Sequence, residues 1–199
     1  MTTTRVEALS DGVFAIAMTL LIIEIHVPHV DTANASALGQ ALRQLAPQVV
    51  AFVISFLILG TFWIGHHNHF VHIRKANRTL LWLNILFLCT IAFLPFSTAF
   101  LAAYWHQPLG GVLYGSNLLA AGALLWLHWV YATAGRRLVS HDLADEVVYS
   151  GRRRVEMGLV VYSVATITAF LWPPISLVLF TMMPIAYMLP GRVDRHLEQ

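Results

Sequence analysis

The sequence predicts an all-α, polytopic membrane protein with six transmembrane helices in a single domain spanning residues 1–199. Three observations lead there. Hydrophobic residues make up 58% of the chain and charged residues only 11%, whereas a soluble domain carries roughly a quarter charged residues. The apolar residues gather into blocks close to the roughly 20 residues that a helix needs to cross a bilayer core. The cations fall between those blocks, a pattern of membrane topology rather than of nucleic-acid binding, so no nucleic-acid partner is expected.

The spans are expected at about residues 9–27, 46–66, 79–104, 110–134, 155–172 and 174–189. Arg5 precedes the first, but the run is long and no small-residue cleavage site closes it, which argues against a removable signal. The fifth and sixth spans are shorter, and Pro173 and Pro174 between them predict a turn joining antiparallel helices. Pro184 predicts a kink in the sixth. Residues 135–154 form the one sizeable polar stretch, read as an extension of the fourth span or a surface helix whose charges make a solvated face. The single cysteine, Cys89, excludes an intrachain disulfide and reads as a small buried hydrophobe.

Orientation follows from Lys and Arg. One side receives Arg5, Arg74, Lys75, Arg78, Arg136, Arg137, Arg152, Arg153, Arg154, Arg192 and Arg195, and the other only Arg43. This bias predicts an even number of crossings in the cell membrane with both termini cytoplasmic. Trp63, Trp82, Trp126 and Trp129 fall toward the cytoplasmic ends, and Trp105 and Trp172 toward the outer ends, as interfacial belts do.

Polar side chains inside such spans are costly, so each is a functional candidate. Ser10 and Asp11 open the first span. The second ends in Trp63-Ile64-Gly65-His66-His67-Asn68-His69-Phe70, and the third contains Asn84. Ser10 and Asp11 suit a helix start, where side-chain oxygens accept free backbone N–H groups. Alternatively, imidazole and amide donors from the second span hold the carboxylate in a buried network. His66, His69 and His72 share a helical face. Without a neighbouring Cys or a His-Glu-x-x-His motif, hydrogen bonding is the better reading and no metal is expected.

The stretch Arg5-x-x-x-Leu9-Ser10-Asp11-Gly12-Val13-Phe14-Ala15-Ile16-Ala17-x-Thr19-Leu20-Leu21 closely resembles the first-helix signature of prokaryotic homologues of the lysosomal potassium channel, transmembrane protein 175. Leu9 stands where the family has Phe. The resemblance continues through Trp63–Phe70, Asn77-Arg78 and Leu80-Leu81-Trp82-Leu83-Asn84 to Phe93-Leu94-Pro95-Phe96, while the second half of the chain matches only in hydropathy. It implies a potassium-permeable cation channel, a homotetramer with the first helix lining the pore. Its permeant ion would be potassium, and no cofactor or enzymatic activity is implied. A single copy of that helix per chain requires oligomerisation to close a ring. The loop Thr-Val-Gly-Tyr-Gly of other potassium filters is absent.

On a helical wheel of about 100° per residue, Gly12, Thr19 and Ile23 lie within about 60° of Ile16, and Asp11 about 140° away. One stripe thus contains Ile16, Thr19 and Ile23, with Asp11 turned toward the second and third spans. By itself the stripe reads by default as ordinary apolar core. By resemblance, Ile16 forms the narrowest ring, with Thr19 and Ile23 farther out, and an aliphatic ring gates by dewetting. Moderate preference for potassium over sodium is expected. Arg5, Ser10, Asp11, His66, His67, His69 and Asn84 are assigned to a structural polar network. Glu24, about 80° off the stripe, is expected at the interface. The competing reading is a proton- or cation-coupled secondary transporter using Asp11 and the histidines, but no inverted repeat or pair of broken helices supports it.

Overall fold

Runs of Leu, Ile, Phe and Ala with few breakers wind into long helices, and the breakers mark their ends. In the computed structural model, residues 3–28 and 35–188 are described. They form α1 (Thr4–Ile23), α2 (Ala35–Gln44), α3 (Ala46–His72), α4 (Arg78–Ala103), α5 (Pro108–Thr133), α6 (Asp145–Leu171) and α7 (Pro173–Met188). Five helices are long and apolar enough to span a membrane, and α7 is a shorter apolar helix. With α7 as the sixth crossing, the membrane core is α1 and α3–α7.

Local chemistry explains the boundaries. Asn77 starts α4 by accepting from the Leu80 backbone N–H at 3.0 Å, which satisfies one of the donors left free at a helix start. Proline occupies the first turns of α3 and α5, where its missing N–H costs nothing. After α5, Ala134–Arg136 make a 3-10 turn in which Gly135 and Arg136 take φ of 58° and 55°.

Several expectations need correcting. α1 begins at Thr4 and stops at Ile23, four residues short of the expected end, because Glu24 closes it. α3 runs on to His72, so the whole histidine-rich segment is helical. Residues 135–154 are neither an extension of the fourth span nor a separate surface helix: they turn, run as a loop, and enter α6 at Asp145. The fifth span therefore carries the polar extension, at its start. Trp172 alone separates α6 from α7, and Pro173 already belongs to α7. The short α2, with Leu38 and Leu42 exposed, was unexpected, since ten residues with little mean hydropathy give no span signal. Cys89 is exposed rather than buried.

Neighbouring helices pack in succession from α4 to α7; α1 lies against α3 and α4, and α7 returns to α3. The main core joins Phe14, Ile58, Phe62, Phe87, Leu118, Leu125 and Phe180. A second cluster, with Val6, Phe70, Ile73, Leu80, Ala132 and Leu138, gathers the cation-rich ends of α1, α3, α4 and α5. Close approach of α5 to α6 depends on Gly115, where an added Cβ would lie 2.0 Å from Thr166 Oγ1. Small residues perform this role between membrane helices, where dispersion and backbone proximity replace the hydrophobic effect.

Candidate functional site

Helix α1 has two faces. Val6, Ser10, Phe14, Ala17 and Leu21 recur at intervals of four, four, three and four residues and are buried. The opposite face carries Leu9, Gly12, Ile16, Thr19, Leu20 and Ile23, all exposed in the single chain, with Ile16 at 61% and Ile23 at 65%. A Cβ added at Gly12 meets nothing within 4 Å. The predicted stripe is thus one continuous bare surface, and Thr19 brings a hydroxyl to it. That hydroxyl donates to the Ile16 carbonyl at 2.9 Å. The bond consumes its proton but leaves the oxygen lone pairs available.

The buried face is anchored by a directed hydrogen-bond chain. His66 Nε2 pairs with Asn84 Oδ1 at 2.8 Å, and because the amide oxygen only accepts, the imidazole donates. Asn84 Nδ2 donates to Ser10 Oγ at 3.2 Å, and Ser10 donates to the Val6 carbonyl at 2.9 Å. Ser10, His66 and Asn84 are all almost fully buried. Phe87 stacks on the His66 ring at 5.5 Å and Phe14 lies 6.2 Å from it, so the imidazole is fixed on its faces as well as its edge. This chain ties α1, α3 and α4 at one point.

The other residues assigned to that network lie elsewhere. Asp11 is exposed and accepts from Trp63 Nε1 at 2.8 Å. It does turn away from Ile16 toward α3, but it bonds a tryptophan and not a histidine. His67 is exposed and stacks on the same Trp63 at 5.8 Å. His69 is buried between Trp129 at 4.5 Å and His128 at 5.8 Å. Arg5 is exposed, with no ion pair among the described residues. Helical phase explains the dispersal: His66 and His67 sit about 100° apart and point to different neighbours.

Some partners were not singled out from sequence. Trp63, read as an interfacial anchor, is the clasp for Asp11. Trp129 is buried and donates to the Val148 carbonyl at 3.0 Å, and Trp126 donates to Glu156 at 3.0 Å. The belt at the cation-rich ends is therefore largely structural, with Trp82 its most exposed member. His128 is buried, and neither of its ring nitrogens has a partner among the described residues. Nearer the other end, Thr98 donates to Ser55 at 2.8 Å, and Ser55 pairs with Tyr114 at 2.9 Å. Ser, Thr and Tyr are common in membrane helices, so spacing alone carries no signal for that second junction. Among the described residues, no group of three or more His, Cys, Asp or Glu is placed to hold a metal ion.

A polar clasp on one face of α1 and a bare aliphatic face on the other form the setting for comparison with known proteins. The profile of the family described as endosomal/lysosomal potassium channel TMEM175 matches residues 5–95, from α1 through most of α4. A potassium channel from Streptomyces collinus is 33% identical over 92% of this chain and 90% of its own length. The human endosomal/lysosomal proton channel TMEM175 is 33% identical over 92% of this chain, which corresponds to 39% of that protein. Among solved structures, the lysosomal potassium-selective channel TMEM175 homolog from Chamaesiphon minutus superposes with a TM-score of 0.83 at 30% identity, covering 94% of this chain and 96% of that one. On this near full-length agreement of sequence and fold, the chain belongs to the TMEM175 family.

Proposed function

We propose that the chain is a potassium-permeable cation channel, assembled as a homotetramer around a pore lined by α1. The observation that carries this reading is the bare face of α1. It is continuous from Leu9 to Ile23, faces away from the chain's own core, and lies within the segment matched by the family profile. Four such faces around one axis would bury each against the others or against the permeation path. The channel reading stands above a coupled transporter, since the potassium channels among its relatives match along nearly their whole length.

Ile16 supplies the narrowest ring. An ion crossing aliphatic side chains sheds water, and potassium, less tightly hydrated than sodium, loses less. Thr19 lies about one turn farther along. Because its proton is held by the Ile16 carbonyl, its oxygen is left as an acceptor, the polarity a cation needs. Ile23 is the last residue of the helix. Selectivity of this kind is moderate, because no rigid cage of carbonyls is built. The clasp of Ser10, His66 and Asn84 sets the angle of α1 and takes no part in conduction.

The cation-rich ends face the cytoplasm in this reading, and both termini lie on that side. Reconstituted protein recorded with potassium on one side of a bilayer and sodium on the other should show discrete conductance steps and a reversal potential displaced toward potassium. Stoichiometric, saturable flux without steps would overturn the channel in favour of a carrier. Topology has its own test on a Cys89→Ser background. Gln107→Cys should react with an impermeant thiol reagent in intact cells, and His141→Cys should not.

A further inference from the structure

Two connections between helices meet at the cation-rich end, and they are laced together. Ile73 and Val139 form a single antiparallel bridge. The Leu138 carbonyl accepts from the backbone N–H of Arg74 at 2.9 Å and of Lys75 at 3.4 Å. Leu138 and Val139 are buried beneath. Arg136 holds a left-handed backbone that non-glycine residues rarely adopt. Its guanidinium donates to the Leu143 carbonyl and pairs with Asp145. Arg137 lies over the Tyr131 ring at 4.5 Å, and Tyr131 accepts from Asn77 Nδ2 at 2.8 Å. The backbone here is pinned from both sides.

This frame borders an open cavity of about 330 Å³ lined by Arg74, Lys75, Arg136, Arg137, His141 and Asp142. Four cations face one carboxylate. Arg136 already has a partner, whereas Arg74 and Lys75 are exposed and have no carboxylate partner among the described residues. Holding like charges in a fixed frame without a counter-ion is unfavourable, and the cost falls when an anion enters. Phosphoryl oxygens suit this set: guanidinium groups bind them as a fork, and an ammonium group as a point charge. The position also matters. The cavity lies where α3 and α5 end and α4 begins, and Trp82, in the first turns of α4, is 56% exposed, as a side chain at the membrane boundary would be.

We propose that this cavity binds a phosphoryl anion of the type carried by anionic phospholipid head groups, with Arg74 and Lys75 as its principal ligands. The site is separate from the conduction path, and it rests on these ends facing an anionic leaflet. The purified full-length chain in neutral detergent provides the test. Short-chain phosphatidylglycerol should raise its thermal unfolding midpoint by several degrees, and short-chain phosphatidylcholine should not. Arg74→Gln/Lys75→Gln should abolish the shift, while Arg78→Gln/Arg153→Gln, which removes as much charge from the same end outside the cavity, should retain it. Both glutamines keep the backbone donors to Leu138, so the frame survives. Inorganic phosphate protecting the native chain, with the same loss in the first double variant and no effect of the lipid, would support the same site filled from solution. A lipid shift that persists in Arg74→Gln/Lys75→Gln, or vanishes equally in both double variants, overturns the proposal in favour of diffuse surface charge. Native mass spectrometry of the unaltered chain gives an independent reading: one retained phosphatidylglycerol per chain in preference to phosphatidylcholine is expected, and no preference counts against the site. Bilayer recordings test conduction separately, so failure here leaves the channel reading intact.

Discussion

The two faces of α1 are almost equally apolar, yet one is sealed into the bundle and the other is bare. Phe14 is 2% exposed and Ile16, two residues on, is 61% exposed. In water, burial follows differences in hydrophobicity, but these faces scarcely differ in it, and in a bilayer, where lipid tails are as apolar as leucine, hydropathy cannot choose a face. What distinguishes the buried face is Ser10, whose hydroxyl has partners on α3 and α4, together with an aromatic ring packed against both Phe87 and His66. The bare face has neither, and carries a glycine and a threonine instead. Orientation of a membrane helix therefore rests on a few polar anchors and on shape.

That contrast is open to direct attack, beginning with the largest effect. Phe14→Ala removes a ring packed at 6.0 Å from Phe87 and should cost about 3–5 kcal/mol of stability, read as a lowered unfolding midpoint. Ile16→Ala on the opposite face should cost far less. Equal losses would show that both faces are packed and would break the distinction. Next, Asn84→Leu leaves His66 without its acceptor and Ser10 without its donor, at about 1–3 kcal/mol per buried group. Combined with Ser10→Ala, the losses should be clearly non-additive, since the two residues share one chain of hydrogen bonds. Additive losses would remove the clasp. Asp11→Ala should cost less than Asn84→Leu, because Asp11 and its Trp63 bond lie at the exposed edge.

Two smaller effects sharpen the role of the bare face. Ile16→Asn should let water fill the narrowest ring and raise conductance several-fold, which corresponds to about 1 kcal/mol of barrier. An unchanged current from properly assembled protein would place the constriction elsewhere. Thr19→Val keeps the side-chain size while removing the hydroxyl. The channel should still conduct, but its preference for potassium over sodium should weaken by a smaller factor than the Ile16 effect, measured as a reversal-potential shift under bi-ionic conditions. The bond from Thr19 to the Ile16 carbonyl makes this the more delicate test. If the reversal potential stays put, the hydroxyl serves only its own helix, and selection rests on Ile16 and Ile23.

Six crossings were legible because a bilayer demands long apolar runs, and the family because Leu9-Ser10-Asp11-Gly12 and Asn84 are polar interruptions that hydropathy would otherwise forbid. The phase of α1 was legible too: about 100° per residue separates Ile16 from Asp11 whatever surrounds them. Partner identity was not. Sequence placed Asp11 among histidines, whereas the tertiary structure gives it Trp63 and gives His66 to Asn84 and Ser10. His69 went instead to Trp129 and His128, residues some 60 positions away in sequence whose approach depends on how α5 packs against α3, an outcome no local pattern encodes. The polar stretch after α5 likewise became a pinned loop and the start of α6, because Ile73 and Val139 meet across two connections. Periodicity and solvation act along one helix and can be read from a string of residues; a hydrogen bond between helices needs both ends in place, and only packing supplies that.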